Sequence, residues 1–229
     1  MRKSKLARFA ELDTFTNVLQ NFNILEPVVV NNKKEVVDPK GKWHDMIFRN
    51  QNPIVLELAC GKGEYTCNMA LADKSKNFIG VDIKGNRMHR GAKRALLEHI
   101  DNAFFLRTDI NIIETFIGPN EISEIWITFP DPHLKTGKFL KRLTSPRFLD
   151  KYKNILQPDG IIHLKTDDPT LYEYTLEVIK EEGHRLIYAD DDIYTKPLVN
   201  PFLEIKTYYE GMHLAEGRKI KYVAFRLKA

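Results

Sequence analysis

The sequence predicts an α/β fold: a doubly wound, mostly parallel sheet of seven strands with helices on both faces. Three observations predict it. Short β-prone runs alternate with segments of helical periodicity from residue 53 onward, and repeated strand–helix units bring parallel strands together through right-handed crossovers. A glycine-bearing turn, Ala59-Cys60-Gly61-Lys62-Gly63, joins the first of these strands to its helix. Carboxylates stand at the ends of successive strands, where open α/β sheets keep their sites.

Length and composition agree with one main core. The chain has 229 residues, of which 43% are hydrophobic, enough for a sizeable interior. No apolar run approaches the roughly 18 residues of a spanning helix, and the opening MRKSKLARFAELD lacks the apolar stretch of a signal peptide. A soluble, cytoplasmic protein with no membrane partner is expected. The two cysteines, Cys60 and Cys67, have neither a disulfide framework nor metal-ligand spacing, so both read as packing residues and no metal is expected. Lys and Arg number 35 against 31 Asp and Glu, a net charge of +4; with so small a sum, the distribution of charge carries the information. Composition gives no choice between monomer and homodimer.

Residues 1–45 read as a basic N-terminal arm ahead of a domain spanning 46–229. Arg2, Lys3, Lys5 and Arg8 crowd its start, and Leu6, Phe9, Leu12, Val18, Leu19 and Phe22 make only a patchy helical stripe, so partial mobility is expected. Pro39 and Gly41 then break the chain. Strands are expected at 53–59, 77–82, 103–107, 122–129, 161–166, 186–189 and 221–227, and helices at 64–72, 86–99, 146–156 and 169–182. A helical turn is expected at 112–116. Ser145 before Pro146 and Asp168 before Pro169 are N-cap signals.

The stretch 124–147 carries the strongest chemical signal. An apolar strand stops at Asp131, which is held between Pro130 and Pro132; proline ends ladder pairing and fixes the backbone, so the carboxylate sits at the sheet's edge. Lys135, Lys138, Lys141, Arg142 and Arg147 follow with no acid among them, a basic ledge suited to a polyanion. A second acid-free group, Lys84, Arg87, Arg90, Lys93 and Arg94, lies on the helix after Asp82, with Arg87, Arg90 and Arg94 opposite Met88, Ala92 and Ala95. A solvated face and a phosphate-binding face both account for it.

The turn at Gly61 and Gly63 suits a nucleotide-like cofactor, since glycine lets the backbone approach a ligand and the helix N-terminus beyond offers free N–H groups. Asp82 lies nineteen residues after Gly63, where an acid takes both ribose hydroxyls of an adenosine. Asp109, after the third strand, is placed to accept from an exocyclic amine; a loop or capping role also explains each acid. Glu57 differs, because a carboxylate inside an apolar strand is costly without a charged or polar partner. A sulfonium or an ammonium is such a partner. Thr207 with Glu210 fits a capping box, and Asp167 a helix cap.

Glu57, the ACGKG loop, Asp82, Asp109, FPDP with its basic tail, LTSPRFLDKY, LQPDG, HLKTDD and the late TYYE resemble the bacterial tRNA (guanine-N7)-methyltransferases over most of positions 43–229. The resemblance implies a Rossmann-like class I methyltransferase fold, S-adenosylmethionine as methyl donor, and guanosine at position 46 of the tRNA variable loop as acceptor. By position it implies cofactor binding at Glu57, Ala59, Gly61, Gly63, Asp82, Asp109 and Asp131, with Asp131 also catalytic. Lys135, Asp167, Thr207, Tyr208, Tyr209 and Glu210 match substrate positions; Gly137, Lys138, Phe139, Leu140, Lys141 and Arg142 match a segment that contacts RNA. The chain departs from many relatives at His133, where they carry Trp, at Ala59, and in the broken basic run KTGKFLKR.

The chemistry agrees. Guanine N7 has a lone pair and no proton, so attack on a sulfonium methyl needs positioning and tolerance of moving charge rather than a general base. Acids without a catalytic histidine fit that need. A methyltransferase acting on another nucleic-acid atom stays open beside it. A nicotinamide-dependent dehydrogenase fits the glycine spacing poorly, and a non-catalytic RNA-binding protein fits the acids poorly.

Overall fold

The strands are β1 (Val18–Gln20), β2 (Val29–Val30), β3 (Val36–Val37), β4 (Ile54–Leu58), β5 (Asn77–Asp82), β6 (Ala103–Arg107), β7 (Ile122–Thr128), β8 (Leu156–Thr166), β9 (Arg185–Asp190) and β10 (Lys221–Arg226) in the computed structural model, which describes residues 4–135 and 137–228. The helices are α1 (Lys5–Leu12), α2 (Glu64–Ala72), α3 (Gly85–Leu97), α4 (Pro146–Ile155), α5 (Pro169–Glu181) and α6 (Tyr208–Ala215). Arg2 and Lys3 of the basic cluster, and Thr136 of the basic run, lie outside the described residues.

All ten strands join one sheet in the order β3-β2-β1-β6-β5-β4-β7-β8-β10-β9. From β1 to β8 neighbours run parallel, whereas β10 is antiparallel to both β8 and β9. The seven strands expected from the sequence are β4 to β10; the other three come from the expected arm. Val18, Leu19 and Gln20 of β1 pair in parallel with Phe105, Leu106 and Arg107, and β2 and β3 continue outward from β1 as short antiparallel strands. Periodicity does not show this, because two- and three-residue strands are too short for a period-2 pattern.

Burial explains the central elements. Every residue of β4 and β5 is buried, as strands covered by helices on both faces must be. Helix α3 buries Met88, Ala92 and Ala95 and exposes Arg87 and Arg90, the division that its periodicity predicts. Asp168 caps α5 by accepting from Leu171 N at 2.7 Å, whereas the hydroxyl of Ser145 donates to Leu140 O and does not cap α4. Pro158, Asp159 and Gly160, just ahead of the strand expected at 161–166, form a bulge within β8: the pairing shifts between Ile122↔Leu156 and Glu124↔Ile161. Both cysteines are buried and unpaired with each other.

The order reverses direction at β4, which lies between β5 on one side and β7 on the other. Such a reversal leaves a crevice at the strands' carboxyl ends.

Candidate active site

That crevice is a cleft of about 870 Å³, lined from the ends of β4, β5, β6, β7 and β8 and from α6. Its floor is the turn after β4. Ala59 has φ +58°, followed by Gly61 at +55° and Gly63 at +68°; left-handed backbone costs a residue bearing a Cβ about 1–2 kcal/mol, so Ala59 holds strain at the loop's first bend. At Gly63 a Cβ would stand 2.6 Å from the Phe105 ring and 3.1 Å from Cα of Gly91. Only glycine lets α2 begin so close to α3.

Glu57 sits beneath this turn, 2% exposed. Its carboxylate accepts from the hydroxyls of Thr66 and of Thr128, the latter at 2.8 Å. Burial pushes its pKa up to about 7; the two hydroxyls oppose that rise and the nearby Asp82 adds to it. Room for Thr66 comes from Gly80, the β5 neighbour of Glu57, where a Cβ would lie 2.6 Å from the Thr66 hydroxyl oxygen. Asp82 accepts N–H bonds from Gly61 at 2.9 Å and Lys84 at 2.7 Å, tying the end of β5 to the glycine turn. Asp109 caps the short turn Ile110–Thr115 through Asn111 N at 2.8 Å and accepts from the Asn111 amide at the same distance. Its capping and its place in the cleft coexist, since a carboxylate offers about four lone-pair sites.

At the end of β7 the backbone turns left-handed at Phe129, φ +48°, and again at His133, φ +46°. Between them Asp131 projects from the Pro130–Pro132 corner into the cleft, exposed. Among the described residues its carboxylate has no hydrogen-bond or ion-pair partner. Phe129 N donates to Lys165 O at 2.8 Å, which anchors one end of the corner.

The positions expected to hold substrate divide. Asp167, Thr207 and Tyr209 line the cleft, with Asp167 2.9 Å from Arg218 Nη1 and near His213 rather than capping a helix. Tyr208 faces an adjoining groove with Arg90, Lys206 and Lys62, and the Lys62 ammonium lies 4.5 and 4.4 Å from the Tyr208 and Tyr209 rings. Glu210 instead is fully buried. It forms the capping box with Thr207, and its carboxylate meets Lys165 Nζ at 2.8 Å and accepts from the Tyr194 hydroxyl at 2.5 Å. A carboxylate so enclosed holds α6 and does not reach substrate. Lys165, whose role the sequence reading missed, also donates to the carbonyls of Leu203 and Ile205, and burial drives its pKa down against the pull of Glu210. The signal was available: a lysine inside a buried strand needs a partner, as Glu57 does.

The basic ledge divides too. Lys135, Gly137, Lys138, Phe139, Leu140 and Lys141 are exposed. Arg142 is not; only 7% of it is exposed. On α3, Lys93 is taken by Glu11 and Arg94 by Glu98, whereas Arg87, Arg90 and the preceding Lys84 have no ion-pair partner among the described residues. Among the described residues no group of three His, Cys, Asp or Glu is placed to hold a metal, and no helix is long and apolar enough to cross a membrane.

A sheet in this order, a strained glycine turn over a buried carboxylate, and acids at the next two strand ends define an S-adenosylmethionine-dependent methyltransferase. The described residues fit that cofactor: open backbone at the turn, acids for its hydroxyls and amines, and a buried carboxyl for a cationic centre. The family model described as "Putative methyltransferase" matches residues 51–223. Over 228 residues the chain is 48% identical to the tRNA (guanine-N(7)-)-methyltransferase of Christiangramia forsetii, covering 99% of both chains. It is 45% identical to the Bacteroides thetaiotaomicron enzyme of the same name, covering 99% of this chain and 87% of that one. The crystal structure of the 16S rRNA methyltransferase KamB shares the fold, with a TM-score of 0.64 at 13% identity over 86% of this chain and 97% of that chain. The chain belongs to the tRNA (guanine-N(7)-)-methyltransferase family.

Proposed function

We propose that this protein transfers the methyl group of S-adenosylmethionine to N7 of guanosine 46 in the variable loop of tRNA, in the cytoplasm. The observation that carries the reading is Asp131: an unpartnered carboxylate on a rigid corner, in the same cleft as Glu57, Asp82 and Asp109. When bound, the cofactor supplies an electrophilic methyl on a sulfonium.

The chain's own groups do the rest. Asp82, fixed by two backbone N–H bonds, keeps lone pairs for ribose hydroxyls, and Asp109 keeps an oxygen for an exocyclic amine. Glu57, poised near neutrality, ionises against a cationic ligand. Asp131 accepts from the N1–H and exocyclic amine of guanine and thereby sets the ring. With the donor held by these residues, the N7 lone pair would take the methyl group and the purine would gain the positive charge that the sulfonium gives up. No proton moves, so no base is needed. Asp131 also favours the cationic product electrostatically. Lys84 and Arg87 at the cleft, with the exposed lysines 135, 138 and 141, supply cations for tRNA phosphates.

The test is to incubate the protein with methyl-labelled S-adenosylmethionine and unmodified tRNA and to map the label chemically. Label at N7 of guanosine 46 supports the reading; label at an exocyclic amine or any other atom overturns it.

A further inference from the structure

Arg142 belongs by its place in the sequence to the basic ledge, yet the structure gives it a different setting from its neighbours. The turn Phe139–Lys141 ends with Arg142 in an extended conformation, φ −65° and ψ 134°. The chain then dives inward: Leu143 is 9% exposed, Thr144 1% and Ser145 0%. Arg142 follows this path, whereas Lys138 and Lys141 stay exposed. Its guanidinium lies 4.4 Å from the centre of the Tyr174 ring on α5, and its Nε donates to Pro132 O at 2.9 Å. No carboxylate among the described residues lies in ion-pair range.

A guanidinium so placed is poorly suited to phosphate and well suited to a fixed support. Burying a cation without a counter-ion is costly, and the ring stack and the carbonyl bond only partly offset the loss of water. What the arrangement secures is the carbonyl of the residue directly after Asp131. The corner is left-handed at Phe129 and at His133. Phe129 is anchored through Lys165 O, and the Pro132 side is anchored through Arg142.

We infer that Arg142 is a positioning residue: braced on Tyr174, it fixes the Pro132 carbonyl and so aims the Asp131 carboxylate at the substrate, rather than contacting RNA. This rests on the role of Asp131 proposed above. Arginine is required, because lysine has neither the planar face for Tyr174 nor an Nε–H in that direction.

The experiment compares Arg142→Lys, Arg142→Ala and Tyr174→Leu, each first shown to melt cooperatively. Steady-state rates at saturating tRNA and cofactor are read with cofactor affinity and the slope of log tRNA affinity against log salt. The expected result is a fall in kcat of at least about tenfold for Arg142→Lys and for Tyr174→Leu, since small misplacements of a reacting group are costly. Cofactor affinity stays within about twofold, and the salt slope is unchanged because no phosphate contact is lost. Wild-type kcat in Arg142→Lys overturns the inference. So does a salt slope reduced by about one in Arg142→Ala while Tyr174→Leu stays fully active, the signature of a phosphate contact. If instead the wild-type protein labels a different atom, it is the assignment of Asp131 that fails.

Discussion

Glu57 and Asp131 are both carboxylates, and their surroundings separate them. Glu57 is buried with only neutral donors, the Thr66 and Thr128 hydroxyls and the Thr66 backbone N–H, and has its pKa pushed up from the usual 4.5 to about 7. In the unfolded chain this carboxyl is ionised above about 4.5, and in the folded chain only above about 7. The folded state therefore binds the extra proton between those values, and stability falls as pH rises through that window. At about 1.4 kcal/mol per pKa unit, the loss reaches roughly 3 kcal/mol. Glu57→Gln, measured by thermal melting without cofactor, should flatten that fall between pH 5 and 8. An unchanged pH profile would show that Glu57 is not the titrating group. Asp131 is open to the cleft, so Asp131→Asn should leave the melting temperature within about two degrees, as expected for an exposed site. It should lower kcat by about 100-fold at saturating substrates, as loss of an electrostatic stabiliser does. Wild-type turnover in that variant would remove Asp131 from the mechanism. Both residues can be picked out in the sequence, because a carboxylate in an apolar strand and one between two prolines each break a local rule. Arg142 breaks none. Its inward turn depends on Tyr174, 32 positions away, and such a contact leaves no trace in a basic run.

At the scale of elements, seven strands and the helices between them follow from periodicity and breakers, while docking depends on buried polar pairs that periodicity does not describe. Helix α6 shows this. Its capping box is readable as Thr207-x-x-Glu210, but the same glutamate closes a buried ion pair with Lys165 of β8, both side chains 0% exposed. Capping alone is worth about 1 kcal/mol; stranding one charge of a buried pair costs about 3–5 kcal/mol. Lys165→Met and Glu210→Leu should each destabilise by that larger amount in denaturant melts. The double variant should lose clearly less than the sum, since no charge is then left alone. Additive losses would mean that the pair does not hold α6 to the sheet.

On the scale of the whole molecule, the arm and the domain share one sheet, and the arm contributes to both of the hydrophobic clusters packed on it. β1 covers the edge of β6 that a domain beginning at residue 46 would leave open, and an unpaired edge next to buried strands invites association. Trp43 is fully buried, with its indole N–H donated to Phe116 O at 2.8 Å and its backbone N–H to Glu121 at 2.9 Å. Helix α1 is pinned across α3 by Glu11, 2.7 Å from both His89 and Lys93, and Arg107 lies between the rings of Phe9 and Phe22. Losing Trp43 costs about 3–5 kcal/mol, and Val18 and Leu19 add more. Those sums match the roughly 5–15 kcal/mol by which a domain is stable at all. A chain cut to begin at Met46 should therefore show no cooperative melt and should elute as aggregate. If it elutes as a monomer and melts cooperatively at the full-length temperature, the first 45 residues are an appendage as their sequence reads, and the sheet from β4 to β10 folds alone.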